Sequence, residues 1–77
     1  MARSRPEAFG AALKTLRKER GLSQEAAALA CEVDRAYFGK IERGEKNPTF
    51  DTIWKLTDGL DTTPSELLAR TERLLKR

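Results

Sequence analysis

Arg35, Ala36, Gly39, Lys40 and Arg43 recur at the three-to-four-residue spacing that would place them along one face of a helix. The chemistry of such a face is recognition. An arginine fork donates two parallel hydrogen bonds, an ammonium donates to any nearby oxygen, and a methyl group offers an apolar contact. Together these suit the edges and phosphates of nucleic acid. Catalysis is poorly supplied. The chain has no histidine and only one cysteine, Cys31, so no nucleophile, base and orienting residue can be assembled and no catalytic residue is assigned. The same inventory argues against a metal site, and no cofactor is expected. With a single cysteine no internal disulfide can form, and Cys31 reads as a small buried apolar group.

To present such a face, Phe38 and Ile41 must pin the segment from beneath, with Val33 ahead of it and Tyr37 adding apolar bulk. Asp34 is placed to cap the helix at its start and Gly44 to close it. The preceding segment is short and alanine-rich, with Ser23 as its N-cap and an end near Cys31. Its small Ala27, Ala28 and Cys31 would let it pack closely across the next helix. Only Glu32 and Val33 separate Cys31 from Asp34, so the two helices meet at a tight turn.

The remaining chain follows the same periodicity. Phe9, Ala12, Leu13 and Leu16 mark a first helix from about Arg5 to Arg20, opened by a Ser4/Glu7 capping box and ended by Gly21. Thr49 caps a fourth helix with Phe50, Ile53, Leu56 and Leu60 as its core stripe. Thr63, Pro64, Ser65 and Glu66 supply an N-cap, a first-position proline and the glutamate of another capping box. On the fifth helix Leu67, Thr71 and Leu74 form one line, while Leu68 and Leu75 lie about 90 degrees round from it. The fold class expected is all-α, five helices in one compact domain over residues 1–77. Its core spans about 5–69 and a helical extension about 70–77. No strand-like alternation, internal repeat or low-complexity segment interrupts this pattern.

Composition agrees with one globular unit: 77 residues, 35% charged and 39% hydrophobic. The net charge of +3 is unevenly spread, with Arg3, Arg5, Lys14, Arg17, Lys18 and Arg20 early and Arg70, Arg73, Lys76 and Arg77 late. The longest apolar run, Ala26 to Cys31, is far too short for a membrane span, and the polar beginning lacks a signal-peptide core. A cytoplasmic protein without membrane partner or small-molecule ligand is expected. A domain this small buries a modest share of its surface, which favours a second subunit.

Two helices joined by a tight turn have the layout of a helix-turn-helix. The sequence resembles the lambda-repressor-like, or Xre-type, regulators through Leu16 to Glu25, Val33 to Phe38, Ile41 to Gly44, Asn47-Pro48-Thr49 and Ser65 to Leu68. The match covers roughly residues 9 to 68. The small controller proteins of restriction-modification systems are similar in length and in the Asp-Arg-Ala-Tyr and Ile-Glu-Arg-Gly stretches, which other Xre-type repressors and antitoxins share.

The resemblance implies double-stranded DNA as partner and a homodimer on a pseudo-palindromic site. It places Arg35, Ala36, Gly39 and Lys40 at base-reading positions: Arg35 for guanine O6 and N7, Ala36 for a thymine methyl, and Lys40 for a base edge or a phosphate. Gly39 would let the helix sit deeper in the groove. Ser23, Gln24, Tyr37, Arg43, Lys46 and Asn47 fall at phosphate-binding positions. Arg17 and Glu42 match an internal salt bridge. Trp54, Leu68 and Leu75 are the candidates for burial between subunits. Glu32 stands where the family commonly has glycine in a left-handed conformation. Ala27, Thr57, Gly59 and Thr62 stand where larger apolar residues are common, so a thin monomer core is expected. The other reading of the sequence is a protein-interaction module, such as an antitoxin-like subunit binding through helices 4 and 5.

Overall fold

The structure, a computed structural model, describes residues 3–76. Arg77, the last of the late basic residues, lies outside the described residues. Among these the chain forms five helices and no strand: α1 Arg5–Glu19, α2 Gln24–Cys31, α3 Arg35–Glu42, α4 Phe50–Gly59 and α5 Pro64–Leu75. Every helix begins at a side-chain cap, because the first backbone N–H groups of a helix have no partner of their own. Ser4, Ser23, Asp34, Thr49 and Thr63 accept from the N–H groups of Glu7, Ala26, Tyr37, Thr52 and Glu66. The Ser4 box is reciprocal, with the Ser4 N–H donating to Glu7 Oε1 at 3.0 Å.

The second expected box forms only by half. Thr63 Oγ1 accepts from the Glu66 N–H at 3.1 Å, but the Glu66 carboxylate turns forward and accepts from Arg70 Nε at 3.1 Å. A charged partner four residues along the helix competes with the neutral N–H behind it, and the charge-assisted bond is the stronger.

The core gathers Phe9, Ala12, Leu13 and Leu16 of α1, Ala27, Ala28 and Cys31 of α2, Phe38 and Ile41 of α3, Leu56 and Leu60 of α4, and Leu67 of α5. In α4 the stripe departs from expectation. Phe50 is 75% exposed, because the first turn of the helix overhangs the core, and Ile53 is only half-buried. Thr57 is fully buried in the stripe instead. Its hydroxyl donates back to the Ile53 carbonyl at 3.1 Å, so a polar side chain enters the core without an unmet hydrogen bond. Gly59 closes α4 onto α2, where an added Cβ would lie 2.6 Å from Cys31 Cα. The thinness of the core there is a condition of close helix contact.

α1 packs on both α3 and α5. Arg70 of α5 clasps Glu19 of α1 through both terminal nitrogens, at 3.0 and 2.9 Å, and its guanidinium holds the Glu19 carboxyl below its usual range. The C-terminal extension is therefore continuous with α5 to Leu75 and tied to α1 partway along.

Glu32 ends α2 with φ 58 and ψ 42, in the left-handed region. Asp61 has a similar φ of 56, for which the sequence offered no warning. A side chain at such a position costs roughly 1 kcal/mol relative to glycine. Glu32→Gly is therefore expected to raise stability by about that amount, read as a higher melting temperature. A lower one would mean that the Glu32 side chain contributes more than its backbone costs.

Candidate nucleic-acid interface

The turn leaves α2 packed against both α3 and α4. Ala27, Ala28 and Cys31 are all buried. The Cys31 thiol donates to the Leu56 carbonyl at 3.5 Å, and burial pushes its pKa up to about 11. It is a packed thiol rather than a reactive thiolate.

α3 is pinned from beneath by Phe38 and Ile41, both fully buried. Arg35, Ala36, Lys40 and Arg43 are exposed around its outer side. Gly39, expected on that open face, is buried. A Cβ there would lie 3.1 Å from Arg43 Nη1 and 3.7 Å from Gln24 Oε1. Two polar side chains, one from α2 and one folding back from the end of α3, cover the position. Gly39 is thus their seat in the free protein, and the expectation that it stands open on the outward face is corrected.

Beneath α3 a buried network fixes its far end. Glu42 accepts from Arg17 Nε at 2.6 Å and Nη2 at 3.2 Å, while Arg17 Nη1 donates to the Leu22 carbonyl at 2.8 Å. The salt bridge implied by the resemblance is present and is shielded from solvent, with side-chain exposures of 10% and 2%. Glu42 Oε1 also accepts from Gln24 Nε2 at 2.8 Å. The Gln24 amide is thereby oriented by the same carboxylate that holds Arg17.

The other expected contact residues lie close by. The Ser23 hydroxyl is engaged as the cap of α2. Tyr37 is half-buried against the core. In the loop after α3, Lys46 and Asn47 are exposed, and Arg43 is held by Glu45 through Nε–Oε2 at 3.0 Å and Nη2–Oε1 at 3.3 Å. Sequence reasoning did not name Glu45. Its position two residues beyond Arg43 in a short loop was the available signal.

Away from this face, Trp54 and Leu68 are 47% and 44% exposed and Leu75 is half-buried. Leu68 and Leu75 line an open, mostly apolar groove of about 610 Å³ together with Phe9, Pro48, Ile53 and Thr71. Trp54 is not among its lining residues. Exposed Leu29 of α2 is a further apolar side chain that the periodicity did not single out, and Phe50 of α4, which the periodicity placed in the core stripe, is exposed as well. Among the described residues no helix is long and apolar enough to cross a membrane, and no group of three or more His, Cys, Asp or Glu side chains could hold a metal ion.

Short helices crossing at a left-handed turn, with one edge of the second exposed, define a helix-turn-helix protein. The chain belongs to the helix-turn-helix family HTH_3, which matches residues 13–67. The control protein C.MunI of Mycoplasma sp is 42% identical over 66 residues, spanning 84% of this chain and 89% of C.MunI. The restriction-modification controller protein C.AhdI of Aeromonas hydrophila is 44% identical and superimposes with a TM-score of 0.79, over 80% of this chain and 94% of that one. The controller protein C.Esp1396I, solved as a tetramer with its natural 35 base-pair operator, shares the fold with a TM-score of 0.88. It is 23% identical, with 97% of this chain and 99% of that one covered. The family read from the sequence and the all-α architecture are both found.

Proposed function

We propose that this protein is a sequence-specific transcriptional regulator that binds a pseudo-palindromic operator as a homodimer. In this reading α3 of each subunit enters the major groove of duplex DNA, with half-sites roughly 34 Å apart. One observation carries it: α3 is anchored by buried Phe38, Ile41 and Glu42 while Arg35, Ala36 and Lys40 stand exposed on its outer edge. A helix fixed on one side and polar on the other positions side chains against base edges without first having to order itself.

Arg35 is the principal base reader, with Ala36 and Lys40 beside it. Ser23, Gln24, Tyr37, Arg43, Lys46 and Asn47 align the subunit on phosphates, which supply affinity without sequence information. Trp54, Leu68 and Leu75 are buried between subunits. The operator complex known for C.Esp1396I supports the DNA reading through the shared fold. The protein acts in the cytoplasm, without catalysis or cofactor.

Selecting bound duplexes from a random pool tests the proposal. The expected product is a two-fold symmetric sequence. Arg35→Ala should erase the preference at one base pair of each half-site, a loss of about 1–3 kcal/mol of discrimination, whereas Gln24→Ala should weaken all duplexes alike. A pool that emerges unenriched would refute sequence-specific binding, and an enriched but asymmetric sequence would refute the two-fold dimer.

A further inference from the structure

The Arg43–Glu45 pair follows directly on the end of α3, and both partners are more than half exposed to solvent. The contact is side-on and bidentate: Nε and Nη2 of Arg43 each meet one carboxylate oxygen. The remaining terminal nitrogen, Nη1, lies over Gly39 beside the Gln24 amide. The guanidinium therefore rests across the end of α3, with its donor edge directed into the loop and filled by Glu45.

Carboxylate and phosphate offer this fork the same pair of oxygens at similar spacing, and arginine binds both in this geometry. We propose that Glu45 sets the affinity of the protein for DNA by occupying Arg43 in the free state as a stand-in for a backbone phosphate. The inference rests on the DNA-binding reading above. Glu45 is fixed in place by its own backbone, whose N–H donates to the Lys40 carbonyl at 2.8 Å. Its carboxyl is held below the ordinary range, mainly by the Arg43 hydrogen bonds, with Lys40 contributing. Glu45 is thus coupled to two of the cations that would face DNA.

An exposed pair of this kind is weak enough to open when a phosphate arrives. Opening it leaves Glu45 unpaired beside a polyanion, so every association carries that penalty. Phosphate contacts carry no sequence information, and the penalty therefore falls equally on operator and unrelated DNA. Gly39 belongs to the same device, since it lets the guanidinium lie flat where Glu45 can reach it.

The test is a double-mutant cycle. Wild type, Glu45→Gln, Arg43→Gln and the double variant are titrated at low salt against a duplex selected from the random pool and a duplex of scrambled sequence. Both side chains are exposed, and melting curves verify that the variants fold as wild type does. Glu45→Gln should tighten binding to both duplexes about five-fold, and Arg43→Gln should weaken both. In the Arg43→Gln background, adding Glu45→Gln should tighten binding clearly less, because the Arg43 contact is already gone and only the repulsion between Glu45 and DNA is relieved. No tightening by Glu45→Gln, or equal tightening with and without Arg43, would overturn the inference, the latter making Glu45 a general surface charge. Failure of the wild type to bind either duplex would instead overturn the DNA-binding reading, and this inference with it.

Discussion

Glu42→Ala is expected to lower folding stability by about 3–5 kcal/mol, a large share of the roughly 5–15 kcal/mol typical of a folded domain. The cost does not measure the attraction between Glu42 and Arg17. It comes from what remains: a buried guanidinium that loses the acceptors for Nε and Nη2 and keeps only the Leu22 carbonyl. Gln24 loses its acceptor as well. Replacing both partners removes the stranded charge, so Arg17→Met combined with Glu42→Leu should be more stable than Glu42→Ala alone, since well-packed apolar pairs often substitute for buried ion pairs. Urea denaturation of the three proteins checks this. A Glu42→Ala variant melting like wild type would mean that Arg17 regains water by a small movement. The network would then be a surface feature in effect, despite its burial.

Local and distant contacts differ in how far they can be read from a sequence. Caps are local. Ser4, Ser23, Asp34, Thr49 and Thr63 each bond an N–H three residues ahead, so short-range spacing revealed every helix start. Arg17 and Glu42 are 25 residues apart, and nothing in their spacing links them. Only the family resemblance implied that pair. Periodicity identified which side of α4 faces inward but not where the core ends, which is why Phe50 was expected inside and lies outside. Glu66 had two competing partners, and the more distant Arg70 won its carboxylate.

The burial of Gly39 escaped for a related reason. The face of α3 on which it lies was legible, but its cover comes from Gln24 on another helix and from Arg43 folding back. Neither direction is encoded in the helical period of α3 itself. The exposed Arg35, Ala36 and Lys40, whose surroundings are solvent, were correspondingly the easiest to place.

Gly10→Ala, normally a stabilising change inside a helix by about 0.5–1 kcal/mol, should here be destabilising. Gly10 is buried in the first half of α1. A Cβ built on it would lie 2.3 Å from the Ile41 carbonyl oxygen and 2.4 Å from that of Glu42. These are backbone atoms at the end of α3, and no side-chain rotation can move them away. Either α1 and α3 separate, opening the packing around Phe9, Leu13 and Ile41, or the last turn of α3 distorts. Overpacking of this kind typically costs about 1–3 kcal/mol, and backbone as the obstacle places the expected loss near 3 kcal/mol. A second effect follows from the location of the contact. Glu42 belongs to the turn of α3 that must give way, so its geometry with Arg17 and Gln24 shifts with it. DNA binding measured well below the melting transition should therefore weaken even where the variant is fully folded. Unchanged stability and unchanged binding would show that α1 and α3 part at no cost, and that the pitch of α3 is set by Phe38 and Glu42 without help from the glycine.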